Sequence, residues 1–453
     1  MAEPRWLRIG DICSIEKGVT GLAAATPGEY PLVATGAERR SAQTYQFDTP
    51  AVCIPLVSST GHGKKTLNYV HFQDGKFALG TILAALIPKD KKALDARYLH
   101  TYLQMNKDRV LVPLMRGAAN VSLSVSAISD INIPVPSLAE QKKALAKLDS
   151  MSGEHAELLL ETDKQLELLK QLRLQILQDA IEGKLTADWR KKNPALITGE
   201  NHASKLLEKI KSEKSRLIQQ GKLKKEKPLP PITEAKKPFP LPEGWVWCRL
   251  DGDIAHVSTG ATPLTSHKEY YDGGTLNWVT SSATNDLFIR SSEKLITEKA
   301  LRETNCKIFP VGTLIIAMYG QGKTRGQISE LNISAATNQA CAALELYYYN
   351  ETLKRYLKVF FLQQYDKLRA LAFGGLQPNL NLTKIGETMI PLPPYEEQKR
   401  ILVGVDNAMN RLDGLEKQCT ERQSQSKMLM QSVLREAFET PVAENKHPYT
   451  KEQ

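Results

Sequence analysis

The sequence has no hydrophobic run long enough to cross a membrane and no cysteine pattern typical of a disulfide or zinc protein. A membrane helix needs about 20 apolar residues, and no stretch approaches that length. The six cysteines are scattered along 453 residues without a C-x-x-C pair, which favours reduced intracellular thiols. The first ten residues contain an early acid and no apolar core, so we expect no secretory signal.

The motifs that usually mark catalysis are also missing. The sequence contains no H-E-x-x-H, no G-x-S-x-G and no Cys/His set with metal-ligand spacing. Residues 317–324 resemble a phosphate-binding loop but have alanine in place of its first glycine. Residues 392–395 resemble the N/D-P-P-Y motif of amino-methyltransferases without its Asn or Asp. We therefore predict a non-catalytic chain that itself binds no cofactor and no metal ion.

The positive charge of the chain is concentrated in one segment. The formal net charge is +10, and residues 184–240 alone carry 15 Lys or Arg and 6 Asp or Glu. The remainder of the chain is therefore close to neutral. A basic segment of this kind is either a solvated tether or an element that binds nucleic acid, and composition does not choose between the two.

The most informative feature is a segment that occurs twice. Residues 133–149 (IPVPSLAEQKKALAKLD) and 390–406 (IPLPPYEEQKRILVGVD) are identical at 8 of 17 positions without a gap. The offset between further matches varies along the chain, which indicates two divergent copies of one fold rather than a short solenoid repeat. These matches are Trp6 with Trp247, the G-x-G-K sequences 61–64 and 320–323, and Tyr98 with Tyr356.

The pattern within each copy predicts a mixed domain followed by one long helix. Short apolar runs bounded by Gly and Pro indicate strands, at 51–57, 77–87 and 313–319, and helices are predicted at 98–106 and 353–364. Each Pro-x-Pro pair holds the chain extended and ends the mixed domain. Apolar residues then recur at steps of three and four over 137–182 and 394–439, as in coiled-coil helices.

The two long helices are either unrelated amphipathic helices or partners of each other. Their equivalent places in a duplicated chain favour pairing, although both apolar seams become polar near the middle. The residues that we assign to the spacer helices and to partner contacts are Glu140, Gln141, Leu145, Leu166, Glu397, Gln398, Leu402 and Leu412.

The sequence therefore predicts an α+β chain with pseudo-twofold duplication. Two similar α/β domains are separated by two long antiparallel helices that form a coiled-coil spacer. The predicted segments are a first α/β domain at 1–136, a first long helix at 137–183, a basic connector with a charged surface helix (204–219) and a Pro/Lys tether at 184–243, a second α/β domain at 244–393, a second long helix at 394–440 and a tail at 441–453.

The two G-x-G-K sequences are candidate nucleic-acid contacts. Glycines let the backbone approach a ligand closely, and a neighbouring lysine can meet a phosphate; the alternative is a tight turn with an exposed lysine. Two segments rich in small and amide residues, 116–126 and 373–381, could read base edges or cap turns. The candidate DNA-binding residues are His62, Lys64, Lys65, Arg116, Asn120, Lys323, Thr324, Arg325, Gln377 and Asn379.

The duplicated pattern resembles a known family. Two variable α/β domains, each ending in I-P-x-P-x-x-x-E-Q and a long helix that closes near Leu-x-x-Ala (177–180, 434–437), resemble the DNA-specificity subunit of bacterial type I restriction-modification systems. Residues 183–190, 193–201 and 206–211 are similar to segments that follow the long helices in enterobacterial members. The resemblance implies that each α/β domain is a target-recognition domain for one half of a bipartite site on double-stranded DNA.

The same resemblance implies a cytoplasmic complex with a division of labour. Two modification subunits docked on this chain would methylate adenine with S-adenosylmethionine, and restriction subunits would use ATP and Mg²⁺ for translocation and cleavage. The antiparallel helices would set the distance between the half-sites. A helix of about 45 residues is roughly 70 Å long, about two turns of DNA. Because the two domains differ in sequence, the site should be asymmetric.

Two other interpretations stay open. A coiled-coil scaffold that joins proteins without touching DNA agrees with the near-neutral domains. An enzyme, either a methyltransferase or an NTPase, is disfavoured by the missing motifs. The recognition sequence itself is not predictable, because one chain does not show which residues read bases.

Overall fold

The computed structural model describes residues 5–60, 63–118, 121–225, 230–320, 322–373 and 380–438. The chain forms two units, one within residues 1–164 and 419–453 and the other within residues 165–418. The boundaries at 164 and 418 fall inside the two long helices. Each unit therefore combines one α/β domain with part of both helices. The predicted division of the chain into consecutive segments does not describe this arrangement.

The α/β domain of the first unit is built from two four-stranded sheets. One sheet is antiparallel, in the order Cys13–Lys17, Leu83–Pro88, Ala51–Pro55 and His71–Gln73. The other pairs its two central strands in parallel, in the order Arg40–Ala42, Tyr30–Val33, Lys76–Leu79 and Phe47–Asp48. The apolar run predicted at 77–87 is therefore two strands.

The strand Ala51–Pro55 shows why its sequence is a continuous apolar run. Successive side chains of a strand point to opposite faces. Val52 and Ile54 pack in one cluster with Leu99 and Leu103 of the helix Ala96–Val110. Their neighbours in the strand pack in a second cluster with Phe77 and Leu79 of the other sheet. Both faces are covered, so neither requires polar residues.

The second unit repeats this topology with one additional edge strand. Its first sheet has the order Ala255–Thr259, Cys341–Leu346, Leu314–Ala317, Ile328–Leu331 and Phe288–Ile289. Its second sheet has the order Lys294–Ile296, Leu276–Val279, Ala335–Thr337 and Ile308–Phe309. The helix Glu351–Gln363 takes the place of Ala96–Val110 and packs Leu353 and Phe360 against the first sheet. All six cysteines have free thiols and are buried in the two units.

A two-stranded ribbon closes each α/β domain. Arg5–Arg8 pairs with Asn132–Val135, and Val246–Arg249 pairs with Met389–Leu392, both antiparallel. The registers are equivalent, since Trp6 lies opposite Pro134 and Trp247 lies opposite Pro391. Prolines are tolerated because each strand of a two-stranded ribbon has one unpaired edge. The first proline of each pair, Pro134 or Pro391, therefore lies in a paired strand and the second follows directly after it, whereas the sequence predicted only an extended segment.

Much of the basic connector packs against the second unit. The helix Ala203–Gln219, predicted as a charged surface helix, buries Ala203, Leu206 and Ile210 in the core of that unit. The solvated-tether interpretation is therefore wrong for this part of the connector. The other short helices are Ile9–Ile12 and Val125–Ser129 in the first unit, and Ala187–Lys192, Glu298–Glu303, Tyr365–Phe373 and Leu382–Gly386 in the second; 3-10 turns lie at Val112–Leu114, Pro194–Leu196, Gly199–Asn201, Glu234–Lys236, Lys268–Tyr270 and Ser281–Asn285.

The long helices span Leu138–Ile181 and Tyr395–Phe438, within two residues of the predicted bounds 137–183 and 394–440. A capping box begins the first helix, because a Glu140 carboxylate oxygen accepts hydrogen bonds from the Ser137 hydroxyl at 2.8 Å and the Ser137 backbone N–H at 3.0 Å. Gly183, at φ +71°, ends it. In the part of the chain that the structure describes, no helix is both long and apolar enough to span a membrane.

The two helices pair antiparallel within each unit. In the first unit, His155 Nδ1 lies 2.6 Å from Ser426 Oγ, and Gln423 Nε2 donates to Thr162 Oγ1 at 2.8 Å. In the second unit, Arg173 forms ion pairs with Asp413 at 2.7 Å and Glu416 at 3.3 Å. The predicted pairing is confirmed. The polar positions of the two seams contact each other, so they do not prevent association.

Candidate nucleic-acid interface

The two G-x-G-K loops occupy equivalent places in the two domains. The first loop lies between strands Ala51–Pro55 and His71–Gln73, and the second between Leu314–Ala317 and Ile328–Leu331. In each case the two strands are antiparallel neighbours. The loop lysines, Lys64, Lys65 and Lys323, are exposed. Duplication has therefore produced one cationic loop per domain at the same point of the fold.

The first loop lies against the other candidate segment of the same domain, residues 116–126. The Ser58 backbone N–H donates to the Val121 carbonyl at 3.0 Å. Gly63 is at φ +73°, and a Cβ atom there would stand 2.5 Å from the Ala118 carbonyl oxygen, so the close approach requires glycine. Arg116 is exposed and exchanges both backbone hydrogen bonds with Ser122 at 2.8 Å. The two segments singled out in the sequence thus form one surface.

The second loop is held by the helix Tyr365–Phe373, which leads directly into residues 374–379. The Tyr365 hydroxyl donates to the Lys323 carbonyl oxygen at 2.6 Å, and Arg369 Nη1 donates to the Tyr365 hydroxyl at 2.6 Å. Gly326 is at φ +84°, and a Cβ atom there would stand 3.4 Å from Arg369 Cγ and 3.5 Å from Leu368 Cβ. The second loop therefore lies next to the helix that precedes the candidate segment 373–381.

The predicted DNA contacts divide into three groups. Lys64, Lys65, Arg116 and Lys323 are exposed cations, and Arg325 is half-buried. Thr324 is buried, and its hydroxyl donates to Asn285 Oδ1 at 3.0 Å; the structure assigns it to holding the loop rather than to presenting a hydroxyl to solvent. The remaining candidates lie outside the described residues: His62, Asn120, Gln377 and Asn379.

The glutamines of the duplicated Glu-Gln are buried at the start of each long helix, and Gln141 also bonds to its domain. Gln141 is fully buried, and its amide donates to the carbonyls of Pro136 and Ala93 at 2.8 Å while accepting from the Asp95 N–H at 2.8 Å. Gln398 is also buried and donates to the Pro393 carbonyl at 2.9 Å. Both side chains are enclosed by this chain. Leu145, Leu402 and Leu412 are buried and Leu166 is half-buried.

The two glutamates differ in their surroundings. Glu140 is half-buried, and its hydrogen bonds from Ser137 hold its pKa below the ordinary value. Glu397 is fully buried and accepts from Arg190 Nη2 at 2.6 Å, Thr186 Oγ1 at 2.6 Å and Trp245 Nε1 at 2.9 Å. The connector therefore packs over the start of the second long helix. Repeat identity alone did not predict this, because the covering residues lie outside the repeat.

A further pair of contacts repeats in both units and was not predicted. Arg97 and Asp149 form an ion pair at 2.8 Å, and Arg355 and Asp406 form its equivalent at 2.6 Å. The hydroxyls of Tyr98 and Tyr356 donate to the carbonyls of Pro134 and Pro391. In the sequence, the signal for this ion pair was that Asp149 and Asp406 occupy identical positions of the duplicated segment. Among the described residues, no group of three His, Cys, Asp or Glu side chains is placed to hold a metal ion.

Comparison with known proteins identifies the class to which this architecture belongs. A family model described as the type I restriction modification DNA specificity domain matches residues 5–168 and 242–422. Since these two matches together cover most of the chain and coincide with its two copies, the chain belongs to this family.

Individual relatives and solved structures agree with this assignment. The EcoAI specificity subunit of Escherichia coli is 28% identical over 293 residues, which cover 61% of this chain and 45% of that protein. The EcoDI specificity subunit of Escherichia coli is 22% identical over 438 residues, which cover 95% of this chain and 87% of that protein. The chain thus spans less than half of the first relative. The HsdS subunit from Thermoanaerobacter tengcongensis shares the fold, with a TM-score of 0.58 at 16% identity over 97% of each chain.

Proposed function

We propose that this chain is the DNA-specificity subunit of a type I restriction-modification complex and that each α/β domain reads one half of an asymmetric bipartite site. The observation that carries the proposal is the equivalent placement of an exposed cationic loop in two copies of one domain. Loop lysines meet phosphates and position the protein, while neighbouring side chains would read bases. Sequence differences between the copies then give two different half-sites.

The proposal assigns chemistry to partner subunits. Two modification subunits with S-adenosylmethionine would methylate the adenines that this chain presents, and restriction subunits with ATP and Mg²⁺ would translocate and cleave. The long helices would act as the spacer, because polar contacts fix their register within each unit. The chain itself would be non-catalytic and would contact double-stranded DNA.

Replacement of Lys323 by alanine tests the DNA contact. If Lys323 meets one phosphate, the variant in complex with its methyltransferase binds duplex DNA more weakly, and the slope of log K against log salt falls by about 0.9. The matched control is Lys268→Ala, an exposed lysine of the same domain outside the loop. An unchanged slope for Lys323→Ala contradicts the contact. Absence of any duplex binding by the complex favours a scaffold protein instead.

A further inference from the structure

The two loops share an anchor that the sequence repeat does not encode. In the second domain, the Lys323 carbonyl oxygen accepts a hydrogen bond from the Tyr365 hydroxyl at 2.6 Å. In the first domain, the carbonyl oxygen of the equivalent Lys64 accepts one from the Ser58 hydroxyl at 2.5 Å. The same backbone atom is therefore fixed in both copies, by a hydroxyl from a different residue type and a different part of the chain.

In the second domain, the hydroxyl donor is itself held in place. Arg369 Nη1 donates to the Tyr365 hydroxyl at 2.6 Å, and the guanidinium carbon lies 5.4 Å from the centre of the Tyr365 ring. A cationic donor to a hydroxyl strengthens the hydrogen bond that the hydroxyl donates in turn. The Gly326 N–H donates to the Ala317 carbonyl at 2.8 Å, which closes the base of the loop.

In the first domain, Ser58 connects three parts of the loop surface. Its hydroxyl also accepts from the Thr66 backbone N–H at 3.3 Å, while its own backbone N–H donates to the Val121 carbonyl at 3.0 Å. Thr60 and Thr66 hydroxyls lie 2.7 Å apart across the same loop. The Ser58 side chain thus joins the loop lysine to Thr66, and the Ser58 backbone joins both to the 116–122 segment.

Fixing the lysine carbonyl limits the directions in which the lysine side chain can leave the backbone. A loop that is ordered before binding loses less conformational entropy when it meets its ligand. We propose that Ser58 in the first domain, and Tyr365 supported by Arg369 in the second, are positioning residues that preorganise the two DNA-contacting loops. This inference rests on the proposed function, since it takes DNA as the ligand of the loops.

The test uses Tyr365→Phe and Ser58→Ala in the complete complex. Tyr349→Phe and Ser14→Ala are matched controls, because Tyr349 is exposed and bonded to Glu351 and Ser14 lies on an edge strand. The probe is the bipartite duplex identified by mapping methylated adenines. We expect Tyr365→Phe to weaken binding roughly five- to tenfold, as for loss of one hydrogen bond, and to relax discrimination in one half-site only. Ser58→Ala should relax the other.

Two readouts separate a positioning role from a phosphate contact and from general destabilisation. The salt slope should stay unchanged in Tyr365→Phe, because no cation is removed. Amide hydrogen exchange of Gly326 and Gln327 in the protein without DNA should become faster, with the global unfolding transition unchanged. If Tyr365→Phe unfolds the domain, Arg369→Gln is tested by amide exchange and half-site discrimination only, because this substitution removes a cation and its salt slope is not diagnostic. The inference would be overturned if Tyr365→Phe left amide exchange and half-site discrimination unchanged although Lys323→Ala weakened DNA binding. If Lys323→Ala instead left DNA binding and the salt slope unchanged, the DNA contact would be refuted, while faster amide exchange would still be seen in Tyr365→Phe.

Discussion

Arg97 and Asp149 form an ion pair of 2.8 Å that joins the helix Ala96–Val110 to the first long helix. Arg355 and Asp406 repeat this pair in the second unit. Both lie at the junction between a domain and its long helix, as do the buried glutamines and the paired prolines. The residues that are identical between the copies therefore hold the junction, while the loop sequences are free to differ.

Replacing Gln141 by alanine should destabilise the first unit. The substitution removes three hydrogen bonds and leaves the Asp95 N–H without its partner. A buried unsatisfied group costs about 1–3 kcal/mol, so the free energy of unfolding in urea should fall by about that amount. Gln171→Ala, on the exposed side of the same helix, is the control and should change stability by less than about 0.5 kcal/mol. Equal effects of the two substitutions would contradict the junction role.

Removing Arg190 should destabilise the second unit more strongly. Glu397 is fully buried, and Arg190 is its only cationic partner in the described part of the chain. An uncompensated buried carboxylate costs about 3–5 kcal/mol, measured as loss of stability in Arg190→Met. Adding Glu397→Gln removes the charge and should recover most of the loss. If the double variant is no more stable than Arg190→Met, the connector is not held by charge pairing.

Acidification should destabilise the first domain through His71. Burial, and then the nearby Arg39 and His100, lower the pKa of His71 to about 4. Between its ordinary pKa and that value, the unfolded chain binds a proton that the folded domain does not, so stability falls as pH drops from about 6.5 to 4. The loss approaches about 3 kcal/mol. His71→Leu should make the free energy of unfolding less dependent on pH in this range. If His71→Leu loses stability with falling pH as steeply as the wild type, other groups cause the acid sensitivity.

Lengthening both long helices should lengthen the DNA spacer. Thr162 contacts Gln423, so seven residues inserted after Asp163 and before Arg422 keep the seam in phase. Seven residues add about 10 Å of helix, or roughly three base pairs of DNA. Methylation mapping should show the longer spacer with both half-sites retained. Insertion into one helix alone is the control and should impair the complex. An unaltered spacer would contradict the ruler role of the helices.

The sequence predicted the bounds of the long helices within two residues because helical periodicity and end signals are local. It located both loops because glycines and lysines recur at one place in each copy. It did not predict the Tyr365–Lys323 contact, whose partners are 42 residues apart, or the burial of Thr324 by Asn285. It predicted the connector helix at 204–219 as a charged surface helix and not its buried face, because Leu206 and Ile210 form too short an apolar stripe to reveal what covers them.

The central claim is that each α/β domain reads one half-site, and a domain exchange tests it most directly. Residues 9–131 would be replaced by the corresponding domain of another family member, which leaves the ribbon of Arg5–Arg8 and Asn132–Val135 intact. Methylated adenines would then be mapped in cells carrying the chimera and its methyltransferase. We predict that one half of the methylated sequence changes, while the other half and the spacing stay the same. An unchanged sequence, or a change in both halves, would contradict the account.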